Sequence, residues 1–112
     1  MKVFSRDYII RKGSNFSVEI LLSDIYVSLD EGTTYTVEGG MKLIADSSEN
    51  AVITGELSAS NTILTLSMTA AETTAIIIAG NYNYGIDIAA AGVVQTILEG
   101  TILVKEDVSD AT

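Results

Sequence analysis

The segment from Thr69 to Val104 reads TAAETTAIIIAGNYNYGIDIAAAGVVQTILEGTILV, and it decides the fold class. Thr69 and Glu72 have the spacing of a capping box, in which the threonine hydroxyl accepts from the glutamate amide and the glutamate carboxylate accepts from the threonine amide. This spacing predicts a short helix over about residues 70–78, which Gly80 would end. Two long strands of a β-hairpin are predicted to follow.

Both strands of this hairpin alternate apolar and polar residues, as half-buried strands do. The predicted inner face of the first strand consists of Tyr82, Tyr84, Ile86 and Ile88. The predicted inner face of the returning strand consists of Val94, Thr96, Leu98, Ile102 and Val104. Gly100 interrupts the second face, and either a β-bulge or the close approach of another backbone would explain a glycine there.

The preceding part of the chain shows the same alternation in shorter segments. The clearest predicted inner face consists of Phe16, Val18, Ile20 and Leu22. A helix is the alternative for this segment, but its β-branched and aromatic residues favour a strand. Further strands are predicted at residues 7–11 (as an edge strand or arm), 41–45, 51–57 and 62–68, the last with Leu64, Leu66 and Met68 on one face.

Residues 23–40 have the least regular pattern in the chain. One or two short strands fit this stretch, with a turn at Asp30-Glu31-Gly32 and the pair Gly39-Gly40 before the next strand. Turns at intervals of roughly 8 to 12 residues, together with one helical turn near residues 70–78, predict an all-β fold, an immunoglobulin-like antiparallel β-sandwich. At 112 residues the chain is expected to be one domain, residues 1–105, with a polar C-terminal tail at residues 106–112.

The composition excludes several classes of function. The chain has no cysteine and no histidine, so disulfides, cysteine-bound zinc and the usual general base near neutral pH are excluded. Its net charge of −9 and its scattered basic residues argue against nucleic acid as a partner. The longest aliphatic block, Ala75 to Ala79, is too short to span a bilayer, and the N-terminus lacks a signal-peptide pattern. We therefore expect a soluble chain with no membrane partner.

No catalytic, cofactor-binding or metal site is predicted. Oxygens of residues 46–50 could approach calcium, but their spacing matches no EF-hand loop, and a solvated turn is the preferred interpretation. The adjacent acids Asp30-Glu31 and Glu106-Asp107 point to opposite sides of an extended chain, which argues against a catalytic pair. Tyr82 and Tyr84 could stack on bases or sugars, but the face that they share with isoleucines favours a place in the core or an interface. The same holds for Phe16, and the chain is predicted not to be an enzyme.

Five short motifs follow one another in a fixed order along the chain. They are Gly13-Ser14-Asn15-Phe16, Leu66-x-Met68-Thr69-x-x-Glu72-Thr73, Gly80-x-Tyr82-x-Tyr84, Gly92-x-Val94-x-Thr96-Ile97-Leu98-x-Gly100, and Val104 before Asp107-Val108-Ser109. In this order they resemble small structural domains of tailed bacteriophages, the N-terminal domain of phage baseplate upper proteins and related immunoglobulin-like head and tail accessory proteins. The resemblance covers most of the chain apart from residues 23–40.

Two departures from the family pattern favour a free-standing virion component over a baseplate protein. The family usually has an acid directly after the second tyrosine, where this chain has Gly85 and carries its acid at Asp87. Baseplate proteins also continue into a further arm, whereas this sequence stops at Thr112.

The resemblance implies a non-enzymatic structural protein of the virion, made in the cytoplasm of the bacterial host. Capsid decoration and a head or tail accessory role are both open. The implied partners are other virion proteins (capsid, portal or tail components) and further copies of the chain itself, in a symmetric homo-oligomer or an array. The alternative is a module that binds carbohydrate or a host surface through Tyr26, Tyr35 and the polar loops.

Overall fold

The computed structural model describes residues 4–76 and 78–106, and these residues form eight β-strands and two short helices. The strands are β1 (Phe4–Ser5), β2 (Tyr8–Arg11), β3 (Phe16–Leu21), β4 (Thr36–Leu43), β5 (Asn50–Leu57), β6 (Ile63–Met68), β7 (Gly80–Ala90) and β8 (Val93–Lys105). A 3₁₀ helix spans Leu22–Ile25, and the α-helix α1 spans Ala70–Thr74. The all-β prediction is confirmed.

Hydrogen bonds join all eight strands into one curled sheet in the order β1-β8-β7-β4-β5-β6-β3, with β2 also pairing with β8. Residues 50–53 of β5 pair with β4, and residues 54–57 pair with β6, so this strand carries the sheet from one half to the other. The short strands β1 and β2 run parallel to β8 at one edge, where the sequence places an edge strand or arm. Because the path of hydrogen bonds is continuous, the two-sheet sandwich stays a prediction.

The inner face of the curled sheet encloses one apolar core. Its buried members are Ile10, Ile20, Leu22, Ile25, Met41, Leu43, Ile53, Leu64, Leu66, Met68, Ile76, Tyr82, Tyr84, Ile86, Ile88, Ile97, Leu98, Ile102 and Val104. The predicted inner faces of β6 and β7 are confirmed in full. On β3 the predicted face is confirmed as well, with Phe16 and Val18 half-buried against this core.

A β-bulge changes the facing of β8. Ile86 pairs with Leu98 but Asp87 pairs with Thr96, so the residue between them on β8 has no partner. That extra residue is Ile97, which is buried together with Leu98. Between the start of β8 and the bulge, the residues that simple alternation would place on the inner face lie on the outer face instead, and Val94 is 66% exposed. The prediction that Val94 and Thr96 lie on the inner face was therefore wrong, whereas the other three positions are confirmed.

Gly100 is a site of close backbone approach and not of a bulge. A Cβ atom there would overlap the backbone carbonyl of Arg6, which lies in the link between β1 and β2. The same carbonyl accepts a hydrogen bond of 2.6 Å from the Tyr84 hydroxyl, and the Arg6 amide donates to the Glu99 carbonyl at 3.0 Å. Glycine at position 100 thus lets the N-terminal arm lie directly against β8.

The capping box is present as predicted. The Thr69 hydroxyl accepts from the Glu72 amide at 3.2 Å, and the Glu72 carboxylate accepts from the Thr69 amide at 2.8 Å. The helix is shorter than the expected 70–78, however, because α1 ends at Thr74 and Ile76 already packs into the core. Burying this isoleucine takes precedence over continuing the helix.

Residues 23–40 contain the start of one strand, in line with the one or two short strands expected there, but this strand is continuous with the one predicted at residues 41–45. The 3₁₀ helix is followed by a loop, and β4 begins at Thr36 and runs through Gly39-Gly40 instead of starting after them. Gly39 packs tightly inside the sheet, since a Cβ atom there would lie 2.7 Å from the Ile53 carbonyl oxygen. Gly39 is therefore explained by close packing within a strand and not by a turn.

A hydrogen-bond network around Thr73 ties α1 to the turn before β3. The Thr73 hydroxyl is fully buried; it accepts from the Gly13 amide at 3.1 Å and donates to the Ser14 carbonyl at 2.8 Å. Nearby, the Asn15 side chain accepts from the Ala70 amide at 2.7 Å. Segments more than 50 residues apart in sequence are thereby held together.

Replacing Thr73 by Val is expected to lower the free energy of unfolding by about 1–3 kcal/mol, because the Gly13 amide and the Ser14 carbonyl lose their hydrogen bonds to the buried Thr73 hydroxyl, each worth about 0.5–1.5 kcal/mol. Urea denaturation followed by circular dichroism measures this. Thr74→Val is the matched control, since its hydroxyl is exposed and bonds only within the helix; it is expected to change stability by less than about 0.5 kcal/mol. Equal effects of the two changes would contradict the network.

The two buried tyrosines Tyr82 and Tyr84 are expected to make the stability of the fold fall at alkaline pH. Burial raises the pKa of Tyr84 well above the ordinary tyrosine value, and Tyr8 and Asp7 add smaller upward contributions. Burial also raises the pKa of Tyr82, with a smaller contribution from the negative charge of Glu49. Below about pH 10 both states keep these protons and stability is unaffected. Above it the unfolded chain loses protons that the native state retains, so stability falls as pH rises.

We expect the free energy of unfolding to fall by about 1 kcal/mol or more between pH 9 and about pH 11, measured by urea denaturation. Tyr84→Phe should reduce this fall, whereas Tyr26→Phe, at a side chain that is 87% exposed, should leave it as in the wild type. A fall that Tyr84→Phe does not change would assign the effect to other groups.

Candidate interaction surface

The residues considered for calcium form an exposed, self-contained turn. The Asp46 carboxylate accepts from the Ser48 amide at 3.0 Å and from the Ser48 hydroxyl at 2.7 Å, and these bonds hold the pKa of Asp46 below its usual value. Asn50 closes the turn by donating to the Ser48 carbonyl at 3.2 Å. Within residues 4–76 and 78–106, no group of three or more acids is arranged to hold a metal ion.

The neighbouring acids also lie apart from any common site. Asp30 and Glu31 are exposed in the loop before β4, and the Asp30 amide donates to the Tyr35 hydroxyl at 3.1 Å. Glu106 is exposed and lies 3.9 Å from the Lys12 ammonium, while its neighbour Asp107 is outside the described residues. Because Glu106 is exposed and the atoms are 3.9 Å apart, this pair contributes little to stability.

The aromatic residues divide into core and surface. Tyr82 and Tyr84 are buried, and their hydroxyls donate to the backbone carbonyls of Ile78 and Arg6. Of the two tyrosines considered for sugar binding, Tyr35 is half-buried and bonded to the loop, whereas Tyr26 is 87% exposed. Tyr26 is thus the aromatic residue of this pair that a ligand could reach.

The outer face of the sheet has a feature that the sequence analysis did not single out. One row of paired residues crosses four strands, from Glu99 on β8 to Gly85 on β7, Gly40 on β4 and Val52 on β5. The inward neighbours of these residues, such as Tyr84 and Met41, are buried, so this row faces outward. Two glycines therefore lie directly opposite each other in the middle of the outer face.

These glycines form the floor of a shallow groove of about 740 Å³. Its lining includes the acids Glu38 on β4, Asp87 on β7 and Glu99 on β8, together with Lys42 and the apolar residues Ile44 and Val52. Val52 is 69% exposed and Ile44 is 56% exposed. The groove therefore offers both charge and apolar area to a partner.

Two of the acids along the groove occupy opposite positions on neighbouring strands. Glu38 on β4 is directly opposite Asp87 on β7, and like charges in such a pair destabilise a sheet. Asp87 accepts a hydrogen bond of 2.6 Å from the Thr96 hydroxyl. Among residues 4–76 and 78–106 the single ion pair joins Lys12 to Glu106, so none of the groove acids is neutralised by a lysine or arginine.

A signal for this groove was present in the sequence but could not be interpreted there. Gly85 interrupts the polar face of β7, and Gly40 follows another glycine. Their opposition depends on the β4–β7 register, which joins residues 45 positions apart and which alternation alone does not fix.

Comparison with known proteins leaves the family resemblance as a prediction. No protein-family model matches this chain. No curated protein matches it closely enough to indicate a relative. Of the helices in the described part of the chain, none has the length and apolar character needed to cross a membrane.

Proposed function

We propose that this protein is a non-enzymatic structural component of a phage virion, either a capsid decoration protein or a head or tail accessory subunit, which binds other virion proteins. Repeated copies would occupy equivalent positions on a symmetric particle. The proposal includes the virion as the location of the protein.

The observation that carries the proposal is the ordered set of motifs, and their positions in the fold support it. Gly13 and Ser14 of the first motif bond to Thr73 of the second, although about 60 residues separate them. Tyr84 of the third motif contacts the arm at the point where Gly100 of the fourth approaches it. A family's structural signature is expected to consist of such mutually dependent residues, because they specify a fold.

The outer surface of the fold carries exposed apolar side chains that a partner protein could contact. The tip of the β7–β8 hairpin exposes Val93 and Val94, each 66% accessible, and the sheet exposes Ile44 and Val52 beside the groove. Exposed apolar side chains beside a groove provide area that a partner protein would cover.

The test is the protein content of purified particles. Particles of the phage that encodes this chain are purified by density gradient, treated with protease to remove adhering proteins, and analysed by quantitative mass spectrometry. We expect the chain at many copies per particle, in a fixed ratio to the major capsid protein. Its absence from intact particles, with the chain present in the free lysate, would overturn the proposal.

A second candidate function, binding of carbohydrate or a host surface, is favoured by the exposure of Tyr26 alone. This residue has a left-handed backbone conformation with φ of 58°, and its ring lies 6.3 Å from that of Phe4. A glycan array with the wild-type chain and Tyr26→Ala separates the two functions. Saturable binding that the substitution abolishes would favour the sugar-binding module, whereas a structural subunit should show none.

A further inference from the structure

We propose that the groove over Gly40 and Gly85 binds an extended protein segment whose lysine or arginine side chains alternate with apolar ones. This inference deepens the proposed function and rests on it in one respect, that the segment belongs to another virion protein. The groove is built from four neighbouring strands, so its shape is part of the folded sheet.

The two floor glycines are not required by the fold. The atom nearest to a Cβ built on Gly40 would be the Ala51 carbonyl oxygen at 3.9 Å, and a Cβ built on Gly85 would meet nothing within 4 Å. Neither residue has a positive φ angle. By contrast, Gly39 and Gly100 are explained by contacts within the chain. Glycine inside a strand weakens the strand, and one established reason for it is the close approach of another backbone.

The charges along the groove specify the partner's chemistry. Glu38, Asp87 and Glu99 line the groove from β4, β7 and β8, and Lys42 is the lysine among the lining residues. Repulsion between the opposed carboxylates of Glu38 and Asp87 would be relieved by a cation placed between them. A second copy of this chain is a poor occupant, since each copy carries a net charge of −9.

The apolar side chains that line the groove determine the second part of the partner's chemistry. Val52 lies in the same row as the two glycines, and Ile44 lies nearby at the end of β4. An extended segment places successive side chains on opposite sides, so alternate residues face the same way. Basic side chains toward Asp87 and Glu99 and apolar ones toward Val52 would match the two edges of the groove.

The experiment is a titration of the ¹⁵N-labelled full chain with a short synthetic peptide that alternates lysine and valine, followed by nuclear magnetic resonance. We expect saturable shifts concentrated at the amides of Gly40, Gly85 and Val52. A peptide that alternates glutamate and valine is the control and should produce none. Shifts spread over the whole acidic surface, shifts centred elsewhere, or no binding would overturn the proposal.

Variants separate the shape of the groove from the total charge of the chain. Gly85→Val fills the floor and should weaken binding by about tenfold or more. Glu99→Gln should weaken it by about threefold at low salt and reduce its salt dependence, because one screened attraction is lost. Glu31→Gln removes the same charge away from the groove and should bind as the wild type does. Should Gly85→Val fail to fold, Glu99→Gln against Glu31→Gln still decides the question, and equal effects of these two would overturn the proposal.

Failure of this inference is distinguishable from failure of the proposed function. A chain that is present in particles but shows no localised binding would overturn the groove as a docking site and leave the virion role intact. A chain that binds the peptide as expected but is absent from particles would keep the groove and overturn the virion role.

Discussion

Replacing Gly100 by Ala is expected to lower the free energy of unfolding by about 4 kcal/mol or more, at the upper end of what single substitutions do. The added Cβ atom would overlap the Arg6 carbonyl, so the backbone of the N-terminal arm would have to move. That movement breaks the bond from Tyr84 to the Arg6 carbonyl and the bond from the Arg6 amide to Glu99. Tyr84 would then keep a buried hydroxyl without its partner.

Urea denaturation followed by circular dichroism measures this loss, with Gly85→Ala as the matched control. Gly85 lies on the same sheet but has free space where the Cβ atom would be placed. Its replacement is expected to raise stability by about 0.5–1 kcal/mol, because a strand glycine is less favourable than alanine. A loss below about 1 kcal/mol for Gly100→Ala would show that the arm adapts to the added methyl group.

Replacing Leu98 by Ala is expected to cost about 2–5 kcal/mol, the range of large-to-small substitutions in a packed core. Leu98 is fully buried, pairs with Ile86 and follows the bulge residue Ile97. The neighbouring strands are fixed by hydrogen bonds on both sides of β8, so the cavity cannot easily collapse.

The control for this second prediction is Val94→Ala on the same strand. Val94 is 66% exposed and should change the free energy of unfolding by less than about 0.5 kcal/mol. Alternation without the bulge would instead place both residues in the core. Similar losses for the two variants would therefore contradict the position of the bulge.

The sequence predicted those features that depend on near neighbours along the chain. The alternation of β6 and β7 and the capping box at Thr69 and Glu72 are confirmed, because each needs only the spacing of residues a few positions apart. The same reasoning failed at β8, where an inserted residue exchanged the two faces. It also failed at α1, where the burial of Ile76 ends the helix early.

Most of the candidate interaction surface could not be predicted from the sequence. Sequence reasoning placed Tyr82 and Tyr84 in the core or an interface, and they are core. It favoured a solvated turn at residues 46–50, and the exposed hydrogen bonds around Asp46 agree with that interpretation. The groove was missed because its floor comes from two strands that meet only through long-range pairing.

The sequence by itself determined the all-β fold class, the apolar faces of most strands, the cap of the short helix and the absence of cysteine and histidine chemistry. Tertiary structure decided that Gly100 marks a close backbone approach, where the bulge in β8 lies, and that Gly40 and Gly85 are opposite each other. The physical reason is range. Alternation and capping are set by geometry within a few residues, whereas the opposition of Gly40 and Gly85 and the approach of the arm depend on contacts between segments 45 to 94 residues apart. The bulge in β8 depends on its pairing with β7, where Thr96 bonds to Asp87 nine residues away. The segment from Thr69 to Val104 depends on both. Its alternation is a local pattern, whereas its partner strands β1, β2 and β4 lie far from it in the sequence.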